Sequence, residues 1–325
     1  MLRPDLSVIF ASTALTFAVT TTNLSADSPE RTPGIKASPA VSAEERADRT
    51  IADLKASIPG LMEKARIPGL QIALIQKGEV IWQGAYGVTN TAGGVAVTND
   101  TIFEAASLTK PLFAYVVMQM VDKKLIDLDA PLLGKVSTER VEQLIGHSLD
   151  AEGFRLDWAK MITARHVLSH SAGMPHGDGG EIYPIFFEPG TDWKYSAQGY
   201  QFLQTVVESI EGKPLEEIVD AYVLEPLGME HSSMVWREAY EKTMANGHWL
   251  YGRPVDFRKR NQATAAASLY TTAGDYARFV CAVLDGTGLK PGTHQEMLTS
   301  FVDMNDDGNL GWGLGFGTQI DGERS

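Results

Sequence analysis

The chain has 325 residues, 44% of them hydrophobic, which is enough to bury a large core, and a formal net charge of −13. With no cluster of Lys and Arg, that charge argues against nucleic acid and against anionic membrane surfaces, both of which need concentrated positive charge. Cys281 is the single cysteine, so an intramolecular disulfide is excluded; in the apolar run 276–284 it reads as a structural thiol of a core helix.

Residues 1–26 read as a secretory signal, with Arg3 near the start, an apolar run from about Leu6 to Val19, and small residues closing at Leu24-Ser25-Ala26. The run is short for a membrane span, so cleavage and export to the periplasm or the medium are expected. Residues 27–42, with Pro29, Pro33 and Pro39, read as a flexible leader to a folded domain over 43–325. A helical pattern follows over 43–64 (Ile51, Leu54, Ile58, Leu61), interrupted at Pro59-Gly60. Strands over 70–76 and 79–86 around the Lys77-Gly78 turn predict a hairpin. After Pro111, Phe113, Val116, Val117, Met120 and Val121 recur at helical steps, predicting an amphipathic helix packed along one stripe. The stretch 124–262 is mostly helical and loop-rich, with a helix ending near Gly173 and another over 196–212 (Phe202, Val206, Val207, Ile210 in register). Small residues from Ala263, a helix over 275–284 and a glycine-rich strand over 310–320 complete the chain. Strands at both ends of a helical middle predict an α/β (α+β) fold: an antiparallel sheet flanked by helices over 43–123 and 263–325, with an inserted all-α lobe over 124–262.

Two features carry chemistry. Ser107-Leu108-Thr109-Lys110 puts a hydroxyl and an amine one helical turn apart at a helix start, where backbone N–H groups favour a developing oxyanion. A serine hydroxyl needs such a neighbour to act as a nucleophile. The apolar run after Lys110 places its amine at a buried end, where desolvation lowers an amine's pKa. Tyr195, just before a helix, carries a phenol that a neighbouring ammonium would help to ionise, as a general base requires.

These residues, read with Asp100-Thr-Ile-Phe-Glu-Ala-Ala, Leu168-Ser-His-Ser-Ala-Gly-Met-Pro175, Pro189-Gly190, Pro226-Leu-Gly-Met229 and Tyr270-Thr-Thr-Ala-Gly-Asp275, resemble the serine β-lactamase and penicillin-binding-protein-like hydrolases. The resemblance is to the class C β-lactamase, D-aminopeptidase and family VIII carboxylesterase branch, and runs from about residue 45 to the end. It implies a β-lactamase/transpeptidase-like fold, Ser107 as the acylated nucleophile, Lys110 as its proton partner, Tyr195 as the base for Ser107 and later for water, and the Ser107 N–H as an oxyanion donor. It implies no metal and no organic cofactor.

Two departures from that pattern matter. The family's Tyr-x-Asn is here Tyr195-Ser196-Ala197, which favours simple esters over amides; the adjacent Gln198 is the candidate substitute for substrate binding. The Lys-Thr-Gly or His-x-Gly strand that follows in the family is not reached before Ser325, so the expectation is a fragment, or a truncated relative with an exposed sheet edge and a weakened oxyanion hole.

Other patterns read as structural. His166-x-x-x-His170 has Val167 where a zinc protease has glutamate. Asp303-Met-Asn305-Asp-Asp307-Gly308 starts like a calcium loop but has Leu314 at its twelfth position. Ser169-His-Ser171-Ala-Gly173 lacks a nucleophile elbow's first glycine, and 311–317 misses the dinucleotide spacing. The reading is therefore an exported serine hydrolase forming an acyl-enzyme on Ser107, acting on a small ester, or on a β-lactam or peptide amide. The alternative is a penicillin-binding-like module or truncated relative with little or no turnover.

Overall fold

The computed structural model describes residues 7–12, 42–177, 183–249, 252–256, 258–305 and 308–319. Residues 27–41 of the expected leader, and all of the expected signal apart from 7–12, lie outside them. In chain order the elements are β1 (Ser7–Ser12), α1 (Ala43–Ala65), β2 (Gly69–Gln76), β3 (Glu79–Gly87), β4 (Phe103–Ala106), α2 (Thr109–Asp122), α3 (Thr138–Ile145), α4 (Leu156–Ala159), α5 (Ala164–Leu168), α6 (Ala197–Glu211) and α7 (Leu215–Val219). There follow β5 (Gly247–His248), β6 (Pro254–Val255), β7 (Leu269–Thr271), α8 (Ala273–Asp285), α9 (Pro291–Leu298), β8 (Val302–Asp303), β9 (Leu310–Trp312) and β10 (Gly317–Gln319). They fall into two compact units: Met1–Phe103, Glu238–Arg258 and Thr271–Cys281 form one, and Glu104–Arg237, Lys259–Tyr270 and Ala282–Ser325 the other.

In the first unit β1, β2 and β3 form an antiparallel sheet in that order. The predicted hairpin is present: Lys77 and Gly78 both take positive φ (53° and 80°), as a two-residue turn matched to strand twist requires. Helix α1 opens with a capping box between Ser42 and Glu45 and runs unbroken through Pro59, contrary to the interruption expected there. A proline inside a helix costs about 3 kcal/mol. Ile58 and Met62, flanking it, are buried in one cluster with Leu70 and Ile72 of β2, and burying such side chains returns about 1.5–3 kcal/mol each. Gln71, 1% exposed, ties the unit internally: Nε2 donates to the carbonyls of Thr98 and Thr101, and Oε1 accepts from the Ala273 N–H.

The second unit is built around α2, and here the single-stripe expectation fails. Leu112, Phe113, Ala114, Tyr115, Val116, Val117, Met118 and Met120 are all buried, so the helix is enclosed on every side. Pro111 is tolerated because a first-turn N–H has no helical acceptor. Helix α6 matches its expected span, with Ser196 capping the Gly199 N–H and Gly212 closing it at φ 65°; Phe202, Val206 and Val207 are buried, whereas Ile210 is exposed. The strand expected over 310–320 is instead the pair β9 and β10, reversed where the Gly313 N–H donates to Phe316 O and Gly315 takes φ 93°. With β8 they form an antiparallel sheet in the order β10-β9-β8. Cys281, expected in the core, is half-buried on α8.

Ile72 is fully enclosed in the first unit. Ile72→Ala is expected to destabilise the protein by about 2–5 kcal/mol, read as a lower urea midpoint at unchanged slope.

Candidate functional site

The site assembles within the second unit at the junction of β4 and α2. Ala106, the last residue of β4, has φ 44°, a left-handed conformation that a residue with a Cβ adopts only at a cost, of about 1–3 kcal/mol where the backbone is strained. That kink turns the chain from strand to helix with Ser107 at the bend, so Ser107 lies two residues before the helix rather than inside its first turn. Three hydrogen bonds hold the bend: Leu108 N–H to Ala105 O at 3.1 Å, Lys110 N–H to Ser107 O at 3.1 Å, and the Thr109 hydroxyl to Ala106 O at 2.7 Å. The Thr109 oxygen also accepts from the Leu269 N–H at 3.0 Å.

Lys110 is 2% exposed, bearing out the expected burial. Its Nζ donates to Ser107 Oγ at 3.3 Å and to Ala266 O at 2.8 Å, and lies 4.8 Å and 5.7 Å from the ring centres of Tyr195 and Tyr200. Desolvation lowers its pKa from 10.5 to about 8, leaving a useful neutral fraction near neutral pH.

Tyr195 completes a cluster with Ser107 and Lys110: the Lys110 Nζ lies 4.8 Å from its ring centre, and the Ser107 hydroxyl acts on its phenol. Burial raises the phenol's pKa above 10.0 and the neighbouring Ser107 hydroxyl offsets this only in part, so the group is held protonated; the expected easing of its ionisation is not found. Its ring packs 4.4 Å from that of His170, which also lies 5.2 Å from Tyr200 and 5.0 Å from Trp312.

His170, 1% exposed and at φ 58°, has its pKa pushed down to about 3, by burial first and then by Lys110 and His176. It is neutral. Its Nδ1 accepts from the Ser196 N–H at 3.1 Å, so the ring proton sits on Nε2, which is buried without a partner among the described residues. The Leu168 carbonyl accepts from Tyr200 OH, Trp312 Nε1 and the Gly315 N–H, fixing these groups around the cluster.

Gln198 is not joined to the cluster by any described hydrogen bond. Its N–H meets Pro175 O at 3.4 Å, and its side-chain Oε1 is enclosed without a partner. The patterns read as structural have local partners. His166 closes a capping box with Thr163, Ser169 Oγ bonds Arg165 O and Ser171 Oγ, and Asn305 Oδ1 accepts from the Leu310 N–H, with residues 306–307 outside the described set. Among the described residues no group of His, Cys, Asp or Glu is placed to hold a metal ion, and no helix is long and apolar enough to cross a membrane. Sequence reasoning missed Ala266 O, the Ala106 kink, and the packing of His170 and Tyr200 against the site. Only Tyr200, on the buried face of α6, carried a periodic signal.

The Beta-lactamase family profile matches residues 54–324. The chain belongs to that family. Its members include serine hydrolases that act on esters, β-lactams and peptides. Esterase EstB of Burkholderia gladioli is 24% identical over 82% of this chain and 78% of its own length. Penicillin-binding protein 4 of Amycolatopsis lactamdurans is 28% identical over 58% of this chain, which spans half of that protein. Among solved structures, the octameric penicillin-binding protein homologue of Pyrococcus abyssi superposes with a TM-score of 0.67 at 24% identity, over 82% of this chain and 64% of that one. EstCE1, described as a hydrolase with promiscuous acyltransferase activity, gives 0.69 at 20% identity, over 85% and 84%. These likenesses bear out the mixed α/β, β-lactamase/transpeptidase-like fold.

Burying Lys110 works against stability near neutral pH, because the unfolded chain keeps its amine protonated up to about 10.5 while the folded chain releases that proton at about 8. Between those values the unfolded state binds more protons, so this group's contribution makes folding more favourable as pH rises, by up to about 3 kcal/mol. Lys110→Met is therefore expected to be more stable than the parent at pH 7, with the difference shrinking towards pH 10.5, as read by paired denaturant titrations.

Proposed function

We propose that this protein is a serine hydrolase that forms an acyl-enzyme on Ser107 with small esters as its substrates. The observation that carries the reading is the cluster itself: a hydroxyl on a kinked strand-to-helix bend, 3.3 Å from a buried amine of lowered pKa that itself lies 4.8 Å from the ring centre of Tyr195.

In the proposed reaction Ser107 Oγ attacks the ester carbonyl carbon while neutral Lys110 Nζ takes its proton. The tetrahedral intermediate collapses, the C–O bond to the alcohol breaks, and the departing oxygen receives a proton through Tyr195, which Lys110 reprotonates. Water then attacks the acyl carbon by the same proton path in reverse, releasing the acid and restoring Ser107. This assigns the first proton to Lys110 and makes Tyr195 a relay, since burial holds its phenol above 10.0. Ester rather than amide chemistry is supported by Ala197, which carries no side-chain amide to hold a substrate amide, and by the esterase among the relatives. The penicillin-binding relatives keep β-lactam and peptide amides as the second substrate class. The apolar N-terminal run supports export, and cleavage after residue 26 would remove β1 from its pairing with β2; N-terminal sequencing of protein recovered from the periplasm of an expressing bacterium tests this.

Incubation with a fluorophosphonate probe is expected to add one adduct by intact mass, absent from Ser107→Ala, which should also lose p-nitrophenyl ester turnover by at least about a thousandfold. A folded parent that takes no adduct would overturn the enzyme reading in favour of a binding module. The pH profile separates the two proton assignments: kcat/KM should climb about tenfold per pH unit and level off near pH 8, the Lys110 value. A limb lying above pH 10 would instead make Tyr195 the base.

A further inference from the structure

The Ala266 carbonyl that holds the Lys110 ammonium is not part of a helix or strand, so something must fix it. The segment from Ala263 to Ala266 is gripped from one side by α6, through two bonds of Gln204 to its backbone and a longer one from Gln201 Nε2 to Thr264 Oγ1 at 3.4 Å. Gln204 Oε1 accepts from the Ala265 N–H at 2.9 Å, and Gln204 Nε2 donates to Ala263 O at 3.1 Å. One carboxamide thus brackets Thr264 as a neighbouring strand would, with donor and acceptor both used. Its orientation is set by Glu208, one turn on, whose Oε1 accepts from Gln204 Nε2 at 2.9 Å. Glu208 is itself held by Arg140 at 3.2 Å and by the Leu215 N–H at 3.2 Å. On its far side the segment is closed by its own bonds, Thr264 N–H to Ser268 Oγ at 2.9 Å and Ser268 Oγ to Thr264 O at 3.2 Å. It then reaches the nucleophile bend through Leu269 N–H and Thr109.

We propose that Gln204 is a positioning residue for the reaction at Ser107: by clamping 263–265 it holds the Ala266 carbonyl against Lys110 Nζ and so fixes where the amine stands relative to Ser107 Oγ. This rests on the reading of Ser107 and Lys110 given above. A carbonyl within 2.8 Å favours the ammonium over the amine, whereas burial favours the amine, and the balance decides how much neutral lysine is present at working pH. The groups facing Lys110 are Ser107, Tyr195, Tyr200, the neutral His170 and this carbonyl. Among the described residues no carboxylate bonds it, so the carbonyl is the principal acceptor for its charge. Gln204 also lines a polar cleft of about 540 Å³ with Arg140, Gln143, Gln201 and Arg260, and Gln143 there has no described bond to the segment, which makes it a control on the same wall.

The test is the second-order rate of fluorophosphonate labelling as a function of pH, in the parent, Gln204→Met, Gln204→Glu and Gln143→Ala, with thermal melting in parallel. Gln204→Met keeps the volume and removes both clamp bonds. It is expected to label about ten- to a hundredfold more slowly. The rising limb of its pH profile should move down by about half a pH unit or more, because a wandering carbonyl stabilises the ammonium less. Gln204→Glu keeps an acceptor for the Ala265 N–H but not the donor to Ala263 O, and should fall between; it also serves if Gln204→Met does not fold. Gln143→Ala should match the parent. A folded Gln204 variant that labels at the parent rate, or one that slows with its limb unmoved, overturns the proposal, since the second outcome is what a purely structural role gives. Failure of the parent itself to label would overturn the Ser107 reading and this inference with it, and is distinguished by the missing adduct in the parent.

Discussion

Placing an amine where water does not reach is the constraint on which the second unit depends. Lys110 is 2% exposed on a helix enclosed all round by apolar side chains, and an ammonium in such a place must find acceptors or lose its proton. It does some of each. Ser107 Oγ and Ala266 O supply acceptors, two tyrosine ring faces supply polarisable surface, and the remaining desolvation appears as a pKa near 8. The strain at Ala106 belongs to the same arrangement, because only a sharp reversal between β4 and α2 sets a hydroxyl facing the first turn of its own helix.

A second cation beside that amine would undo it, and His170 shows how one is avoided. Burial and the nearby ammonium depress its pKa far below the working range, and a backbone donor from Ser196 selects the tautomer. The imidazole then serves as a flat neutral surface under Tyr195, with Tyr200 and Trp312 against it. A single carbonyl, that of Leu168, orders three of the surrounding groups through Tyr200, Trp312 and Gly315. Tyr195 is thereby positioned by packing rather than by charge, consistent with a phenol that keeps its proton.

Division of labour between the two titratable neighbours of Ser107 follows from their environments. Burial acts on both in the direction of neutrality, but neutrality means a free base for lysine and an acid for tyrosine. In the proposed reaction the same desolvation therefore prepares one group to accept a proton and the other to donate one. The family includes both an esterase and a penicillin-binding protein among the relatives of this chain. Ala197 carries no side-chain amide, and Gln198, whose Oε1 is buried and has no partner among the described residues, shows no hydrogen bond to the cluster there.

Much of this was legible in the residue order, wherever the signal is local. The β2–β3 hairpin follows from one Lys-Gly turn, the limits of α6 from Ser196 and Gly212, the burial of Lys110 from the apolar run after it, and the serine–lysine pair from its three-residue spacing, which a turn ahead of the helix brings together. Elsewhere packing overruled the local signal. Helix α1 runs through Pro59 because Ile58 and Met62 are buried with β2, and α2 is enclosed on all sides because its own residues do not say how much chain will cover it. Residue order alone carried no sign of the acceptor for the Lys110 ammonium, a backbone carbonyl 156 positions away, nor of the left-handed bend at an alanine. Every residue has a carbonyl, so only tertiary structure decides which one meets the charge. The sequence by itself determined which side chains can do chemistry and which neighbours along the chain they keep; the fold decided their protonation, because desolvation depends on everything packed around them.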